Sequence, residues 1–334
     1  MRVRGGMSKL GRRVVHRFAH RAYAAGPLSG AVPFMDGILL TKTLRDQGFS
    51  YDEVIRRHRR GDLERVRRGA YATPRDRELG RDDRHRRLVQ ATVPQLVAGS
   101  VVSHGSAAVM HGLPVWAAAI ARVHVTRPDD GKRRTVLHVC GAPLAAADIT
   151  VVDGVAVTSL ARTVLDLART RPMEQAVAAA DRALREGLPP QLLAEGLLRM
   201  ERWPGVRAAR RVVAFADPRS ESVGESVSRV RIHLDGLPKP ELQYEILGPD
   251  GRVIARVDFY WKEQRTVGEF DGKVKYGRLL KPGQRVEDVV FDEKRREDAV
   301  RSEGHEVARW IWHDCWQPGV VRDRVLRAFA RGSH

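Results

Sequence analysis

Three acidic residues near the carboxyl end of the chain have the types and spacing to bind a divalent metal ion. Asp258 lies on a predicted strand over residues 253–261, and Glu269 and Asp271 share the next predicted strand, over 265–271. Because side chains alternate along a strand, the three carboxylates are expected on one face of adjacent antiparallel strands. Carboxylates this close raise one another's pKa, and a cation between them relieves the repulsion. Oxygen ligands without cysteine or paired histidine predict Mg²⁺ or Mn²⁺.

A metal ion bound by these residues would act on a phosphodiester. Such an ion lowers the pKa of its bound water and stabilises charge on a phosphate during displacement. Lys273 follows Asp271 by two residues, and its ammonium could orient the water or neutralise the developing charge. The acids also have a simpler interpretation, as solvated side chains beside Asp-Gly turns.

A second set of candidate residues is basic and lies in the first quarter of the chain. Ser50 and Glu53 have the spacing of a capping box, which begins a helix that Gly61 ends. Tyr51, Val54 and Ile55 are expected to face the core of the protein. The segment 63–72 then alternates and turns at a glycine, which predicts a short hairpin. The predicted DNA-contacting residues are Arg56, Arg57, Arg59 and Arg60 on the helix and Arg65, Arg67 and Arg68 on the hairpin.

An earlier helix is predicted just before this one. Asp36 is its expected N-cap, Ile38, Leu39 and Leu44 form its apolar face, and Gly48 ends it. Two short helices joined by a glycine turn and followed by a basic hairpin predict a winged helix-turn-helix. Its second helix would enter the major groove of duplex DNA, and its hairpin would contact phosphates. The alternative is a solvated basic helix in an ordinary small domain.

Charge and composition narrow the class of protein. The formal net charge is +18; residues 1–34 hold seven basic and no acidic residues, whereas residues 216–334 hold 22 basic and 21 acidic ones. A basic amino-terminal part favours a polyanionic partner. Two distant cysteines exclude a disulfide framework and favour a reducing cytoplasm. No run approaches about 20 apolar residues, so no membrane partner is expected.

The length of 334 residues predicts two or three domains. Residues 1–34 are interpreted as a basic extension that is disordered or lies upstream of the true start, with a DNA-contacting arm as the alternative. A winged helix-turn-helix over 35–98, an α/β middle domain over 99–215 and an α/β carboxyl-terminal domain over 216–334 follow. A linker is predicted near residues 217–219. The expected fold class is therefore α/β, with several domains.

The middle of the chain shows no catalytic pattern. Strands are predicted over 123–125 and 136–139, with Asp130 and Gly131 as the turn between them. Ser103 is a candidate helix N-cap. His104 and His111 lie on that helix without an accompanying carboxylate or thiol, so packing and hydrogen bonding are their expected roles.

Three motifs resemble the AbiEi-like antitoxin family of type IV toxin–antitoxin systems. They are Gly-Asp-Leu-Glu-Arg-Val-Arg-Arg-Gly-Ala-Tyr at 61–71, Ser-His-Gly-Ser-Ala-Ala-Val-Met-His-Gly-Leu-Pro at 103–114 and Val-Thr-Ser-Leu-Ala-Arg-Thr-Val-Leu-Asp-Leu-Ala at 157–168. The resemblance covers about residues 36–190. It implies a DNA-binding transcriptional autoregulator, sometimes paired with a toxin, and supports DNA binding better than antitoxin activity.

The carboxyl-terminal motifs resemble the restriction-endonuclease-like superfamily, and most of all its very-short-patch-repair endonuclease-like group. They are Arg-Val-Asp-Phe at 256–259, Glu-Phe-Asp-Gly at 269–272 and the basic segment 291–298. The motif Ser222-x-x-Glu225-Ser226 resembles that group's first-helix glutamate. The resemblance implies metal-dependent cleavage of DNA by Glu225, Asp258, Glu269 and Asp271, with Lys273 or Lys294 supplying positive charge.

One position departs from the superfamily pattern. A lysine is expected two residues after the glutamate, and Asp271 stands there instead. If neither Lys273 nor Lys294 reaches the site, the domain binds DNA without cutting it. Three functions therefore stay open: a DNA-binding regulator with a Mg²⁺-dependent endonuclease domain, a regulator or antitoxin without catalysis, and a module that neutralises a cognate toxin by protein contact.

Overall fold

The computed structural model describes residues 37–74, 79–128, 137–272 and 286–332. These residues form a mixed α/β protein with three β-sheets. The predicted extension over 1–34, the predicted N-cap Asp36, the predicted turn at 130–131 and Lys273 lie outside the described residues. No helix within the described ranges is both long and apolar enough to cross a membrane.

The first sheet has three short antiparallel strands in the order β1-β3-β2. Its elements are β1 (Ile38–Leu40), α1 (Thr41–Asp46), α2 (Tyr51–Arg60), β2 (Glu64–Arg67) and β3 (Ala70–Ala72). The predicted limits of α2 are confirmed: the Ser50 hydroxyl accepts the Glu53 N–H at 3.1 Å, and Gly61 ends the helix with φ +84°. Left-handed backbone of this kind favours glycine because it has no Cβ.

The prediction for the segment before α1 is wrong in one respect. Ile38 and Leu39 were expected on a helix, but they form β1 and pair with Ala72 and Tyr71. An apolar run completes the sheet of the hairpin there, which local sequence signals cannot indicate. Tyr51, expected in the core, is 62% exposed.

The second sheet has five strands in the order β6-β5-β4-β8-β7. Its elements, with the helices around them, are α3 (Arg81–Thr92), β4 (Val101–Val102), α4 (His104–Met110), β5 (Val123–Arg127), β6 (Leu137–Gly141), β7 (Ile149–Val152) and β8 (Val155–Thr158). Four further helices follow, α5 (Leu160–Thr170), α6 (Met173–Arg185), α7 (Pro190–Arg199) and α8 (Val206–Phe215). The predicted hairpin between β5 and β6 is wrong, because the two strands run parallel, with Val123 opposite Leu137. A tight turn cannot join parallel strands.

The third sheet has four strands in the order β12-β11-β10-β9. Its elements are α9 (Val223–Leu234), β9 (Glu241–Leu247), β10 (Val253–Trp261), β11 (Thr266–Asp271), α10 (Val286–Ser302), β12 (Glu306–Ile311), α11 (Trp312–Cys315) and α12 (Val320–Gly332). Strands β9 to β11 are antiparallel neighbours, whereas β11 and β12 run parallel. Helices α9 and α12 share a core with one face of the sheet, and Val300 of α10 packs with the other.

Helix α9 joins the second and third parts of the fold. It begins at Val223, because the Ser222 hydroxyl accepts the Glu225 N–H at 3.1 Å. Val230 packs in the helical core of the middle region, and the Arg229 guanidinium binds the Asp181 carboxylate of α6 at 2.8 Å. The preceding segment, predicted as a linker, is held to α6 through the same carboxylate.

A buried arginine holds the middle helices together. The Arg162 side chain is 1% exposed and donates to Asp166 Oδ2 and Asp148 Oδ2, each at 3.0 Å. Its guanidinium also lies 4.7 Å from the Trp203 ring centroid. A buried charge of this kind is tolerated only with such partners.

Replacing this arginine is expected to destabilise the protein strongly. Arg162→Met keeps much of the side-chain volume but leaves two carboxylates without their shared cation, so we expect a loss of about 3–5 kcal/mol in the free energy of unfolding. Arg182→Met is the matched control, because Arg182 pairs with Glu186 one turn away at a 43% exposed site. That variant should change stability by only about 0.5 kcal/mol. Urea denaturation measures both, and equal losses would contradict the assignment.

Candidate functional site

The basic side chains of α2 lie on its exposed second half. Arg56, Arg57, Arg59 and Arg60 are all exposed. Acidic residues occupy the first turn of the helix and basic residues the last, the arrangement that the helix dipole favours. Arg57 is partly engaged already: its guanidinium lies 3.5 Å from the Glu53 carboxylate and 4.7 Å from the Phe49 ring centroid. Most of this charge therefore faces solvent, where a polyanion can reach it.

The hairpin beside α2 carries the other three predicted arginines. Arg65 and Arg68 are exposed, but Arg67 is half-buried beside a register shift in the β2–β3 pair. Burial lowers the pKa of Arg67, and its Nε is buried without a hydrogen-bond partner. The hairpin therefore offers two fully accessible guanidinium groups and one that is partly withdrawn.

Two contacts fix the hairpin in place. The imidazole Nδ1 of His58 on α2 lies 2.9 Å from the Leu63 carbonyl oxygen, at the start of the hairpin. The Arg87 guanidinium of α3 binds the Glu64 carboxylate at 2.9 Å and donates to the Thr73 carbonyl. Because the Arg87 side chain is only 7% exposed, this pair holds the first sheet firmly against the middle region.

The predicted acidic site lies where β10 and β11 separate. Their last paired residues in this direction are Phe259 and Gly268, and one further step in the same register places Asp258 across from Glu269. The Asp258 carboxylate accepts the N–H of Phe270 at 2.9 Å. This side-chain hydrogen bond links β10 and β11 at the point where backbone pairing stops. The two acids are thus neighbours, as predicted.

Glu225 reaches the same end of the sheet from α9. This carboxylate is 7% exposed, and its Oε2 accepts the Glu221 N–H at 2.8 Å and the Gln243 side-chain N–H at 2.9 Å. Gln243 lies on β9 at the position opposite Asp258, between the paired residues on either side. Glu225, Asp258 and Glu269, here named the carboxylate row, therefore follow one another across α9, β10 and β11.

Gln243, which lies between Glu225 and Asp258 of the carboxylate row, has a strained backbone. Gln243 has φ +53°, a left-handed conformation that costs energy for a residue with a Cβ. The predicted alternation on β10 also fails here: Val257 packs with Tyr260 in one core, whereas Phe259 packs in the other. The side-chain alternation along β10 changes face at Asp258, which lies opposite the strained residue Gln243 on β9. The Asp258 side chain is directed toward β11, where it accepts the Phe270 N–H.

Two arginines bind Glu269. Arg296 of α10 lies 2.8 Å from Oε1, and Arg309 of β12 lies 2.8 Å from Oε2. Arg309 also contacts Glu297 at 3.2 Å. Sequence reasoning did not identify Gln243, Arg296 or Arg309, because no local pattern links an arginine to an acid 27 or 40 positions away.

As arranged, the carboxylate row does not fit a divalent metal ion. Both Glu269 oxygens face guanidinium groups, and within the described ranges no group of three or more His, Cys, Asp or Glu side chains is placed to hold a metal. Asp271 is half-buried at the end of β11, and Lys294 is exposed on α10. The structure thus brings together Glu225, Asp258 and Glu269, and it places guanidinium groups where the cation was expected.

A cluster of buried histidines lies in the middle region. His85 Nε2 of α3 lies 2.8 Å from the Ser106 hydroxyl, which also accepts the His124 N–H at 2.8 Å. Burial lowers the pKa of His85 to about 4 and that of His124 to about 3. Both imidazoles are therefore neutral at pH 7. The sequence interpretation gave His104 a packing role, and the structure places its ring 5.9 Å from that of His124.

Comparison with known proteins gives relatives from one organism. The chain is 31% identical over 252 residues to uncharacterized protein Rv2248 of Mycobacterium tuberculosis (strain ATCC 25618 / H37Rv) and to uncharacterized protein MT2308 of M. tuberculosis (strain CDC 1551 / Oshkosh). Each match covers 71% of this chain and 89% of the relative. No family model matches the chain.

Among solved structures, the crystal structure of RV2827C protein from M. tuberculosis shows a weak likeness. The TM-score is 0.38 at 15% sequence identity, and the match covers 64% of this chain and 84% of that one. Because the TM-score is this low, the interpretation of the three sheets rests on their own geometry.

The buried histidines predict a loss of stability in mild acid. Their pKa values in the folded state lie below the ordinary value of 6.5, so the unfolded chain binds protons that the folded chain does not. The free energy of unfolding should therefore fall below pH 6.5, by roughly 1.4 kcal/mol per pH unit for each histidine, until about pH 4 for His85. Urea denaturation at pH 7, 6 and 5 measures this. His85→Gln should flatten the dependence, whereas His233→Gln, at an exposed site, should not.

Proposed function

The chain belongs to the family of the M. tuberculosis proteins Rv2248 and MT2308, and we propose that it binds duplex DNA as a regulator. Helix α2 enters the major groove, and the β2–β3 hairpin contacts the phosphate backbone beside it. The observation that carries the proposal is the set of four exposed arginines on a well-capped helix, next to a hairpin with two more exposed arginines.

The first sheet supports a winged helix-turn-helix. Two helices separated by a short turn precede a hairpin, and β1 adds to the hairpin in the antiparallel order β1-β3-β2. Arg87 binds the hairpin through Glu64, and His58 of α2 contacts Leu63 at its start. The helix and the hairpin therefore keep one relative position, as a DNA-binding unit requires. Phosphate contacts of this kind depend on salt because they release counterions from DNA.

The third sheet supports an endonuclease-like fold without the metal site of an active nuclease. A helix, three antiparallel strands, a further helix and a parallel fourth strand follow one another, and the carboxylate row lies where that interpretation expects it. The guanidinium groups of Arg296 and Arg309 compensate Glu269 in place of a metal ion. This arrangement supports DNA binding without cleavage. Neutralisation of a toxin stays a prediction of the resemblance alone.

Removal of one α2 guanidinium is expected to weaken DNA binding in a salt-dependent way. Arg56→Ala should lower the affinity for any duplex and reduce the slope of log K against log salt by about one unit. Fluorescence anisotropy with a labelled duplex over a series of NaCl concentrations measures both quantities. Arg210→Ala is the matched control, since Arg210 is an exposed helical arginine on α8. Wild-type binding that does not change with salt would contradict the proposal.

The resemblance of the carboxyl-terminal motifs to nucleases provides a second candidate function, metal-dependent cleavage of DNA. Because both Glu269 oxygens are bound by guanidinium groups, we expect wild-type protein to leave supercoiled plasmid intact in Mg²⁺ and in Mn²⁺. Agarose electrophoresis of the plasmid gives the result, with Asp258→Asn and Asp323→Asn as paired variants. Nicking by wild type and Asp323→Asn, but not by Asp258→Asn, would establish the nuclease and overturn the non-catalytic interpretation.

A further inference from the structure

An open cleft of about 600 Å³ lies in the middle region. Its lining includes neither the arginines proposed to contact DNA nor those that bind Glu269. The polar side chains that line it are those of His104, Arg122, His124, His138, Arg169 and Arg171. They come from α4, β5, β6 and the segment around the end of α5. A volume of this size accommodates a small organic ligand.

The charge of the cleft has one sign. Within the described part of the chain, none of its lining residues is acidic. Arg169 is balanced from behind by Asp166, whose Oδ1 lies 2.9 Å from its guanidinium, and Arg169 also donates to the Pro204 carbonyl. Arg122 is exposed and Arg171 half-buried. The wall therefore presents guanidinium groups to whatever enters, and an anion is the ligand that they favour.

Unsatisfied polar atoms lie along the same wall. His124 Nδ1, Arg169 Nε and Arg171 Nε are buried and have no hydrogen-bond partner. His124 is 5% exposed, so its ring cannot turn to bulk water for a partner. Buried polar atoms are rarely left unpaired in folded proteins. Unpaired arginine Nε atoms also occur elsewhere in the described chain, so His124 Nδ1 is the atom here that indicates a missing hydrogen-bond partner.

His124 adds hydrogen-bonding capacity without adding charge. The rings of His124 and His138 lie 4.9 Å apart, and those of His104 and His124 lie 5.9 Å apart. Burial, the neighbouring imidazoles and Arg171 all lower the pKa of His124. A neutral imidazole can donate to one oxygen and accept from a hydroxyl. The half-buried His138 ring can contact a planar group of the ligand, whereas His104 and His124 are only 6% and 5% exposed.

Backbone strain occurs in this cleft too. His104 has φ +50°, a left-handed conformation that is costly for a residue with a Cβ, and it is 6% exposed. Its Nδ1 lies 3.0 Å from the Ser103 hydroxyl, which fixes the ring against the cleft wall. The strained backbone places an imidazole beside the guanidinium groups, where it can contact a ligand.

From these observations we propose that the cleft binds a small organic phosphate, with its phosphoryl group on Arg171 and its organic part against His138. A planar guanidinium group binds the oxygens of a phosphate or of a carboxylate in pairs, and a phosphoryl group carries the larger negative charge for a cationic cleft to bind. The site is separate from the proposed DNA contacts. It gives the protein a ligand that the regulator function does not require.

Isothermal titration calorimetry of the full chain with adenosine monophosphate, inorganic phosphate and adenosine tests the proposal. We expect one site per chain that binds the monophosphate best, inorganic phosphate less well and adenosine least. Arg171→Ala should weaken binding of the monophosphate by about tenfold or more, the size of a lost charged hydrogen bond. Arg171→Lys should recover part of the affinity, and Arg210→Ala should leave it unchanged.

A second measurement separates loss of the site from loss of the fold. Circular dichroism spectra establish whether each variant is folded, and ring-nitrogen NMR signals of the histidines report contact with the ligand directly. In wild type, the monophosphate should shift the signals of the cleft histidines and not that of His233, which is exposed. Failure of wild type to bind either phosphate, or equal affinity in wild type and folded Arg171→Ala, would overturn the proposal. Displacement of the bound monophosphate by duplex DNA would show instead that the cleft is part of the DNA contact.

Discussion

Pairing of arginine with carboxylate is the interaction on which this structure depends. The chain is rich in arginine. A buried carboxylate needs a compensating partner, because its charge has been removed from water. Arg87 and Glu64 join the first sheet to the middle region, and Arg229 and Asp181 join the middle region to the third sheet. Ion pairs at these junctions add to the apolar contacts that α3 and α9 make on both sides.

The same interaction decides the chemistry of the carboxylate row. Acids that approach each other need a cation, and either a metal ion or a guanidinium group can provide it. At Glu269 the chain itself supplies two guanidinium groups from α10 and β12. Sequence motifs that resemble those of a nuclease therefore need not imply cleavage, since a few basic side chains change what the acids can bind.

Local signals in the sequence predicted local structure well. Ser50 and Gly61 set the limits of α2, and residue patterns along the chain predicted β10 and β11, because each signal acts on residues nearby. Features that depend on distant partners were missed. Strand β1 forms because Ala70–Ala72 offers it an edge, and the parallel pairing of β5 and β6 depends on how the whole second sheet is ordered. The proximity of Asp258 and Glu269 followed from the prediction of adjacent antiparallel strands, but the arginines around Glu269 and the strain at Gln243 arise only in three dimensions.

Helix α9 has a consequence for how the molecule unfolds. One face of this helix supplies Val230 to the middle core, and another supplies Val227 and Ile232 to the core of the third sheet. If α9 detaches from one core, apolar surface of the other core is exposed as well. The middle region and the third sheet therefore unfold more cooperatively because they share this helix. Denaturation of residues on either side of α9 is then a single thermodynamic event, and a destabilised core on one side lowers the stability of its neighbour.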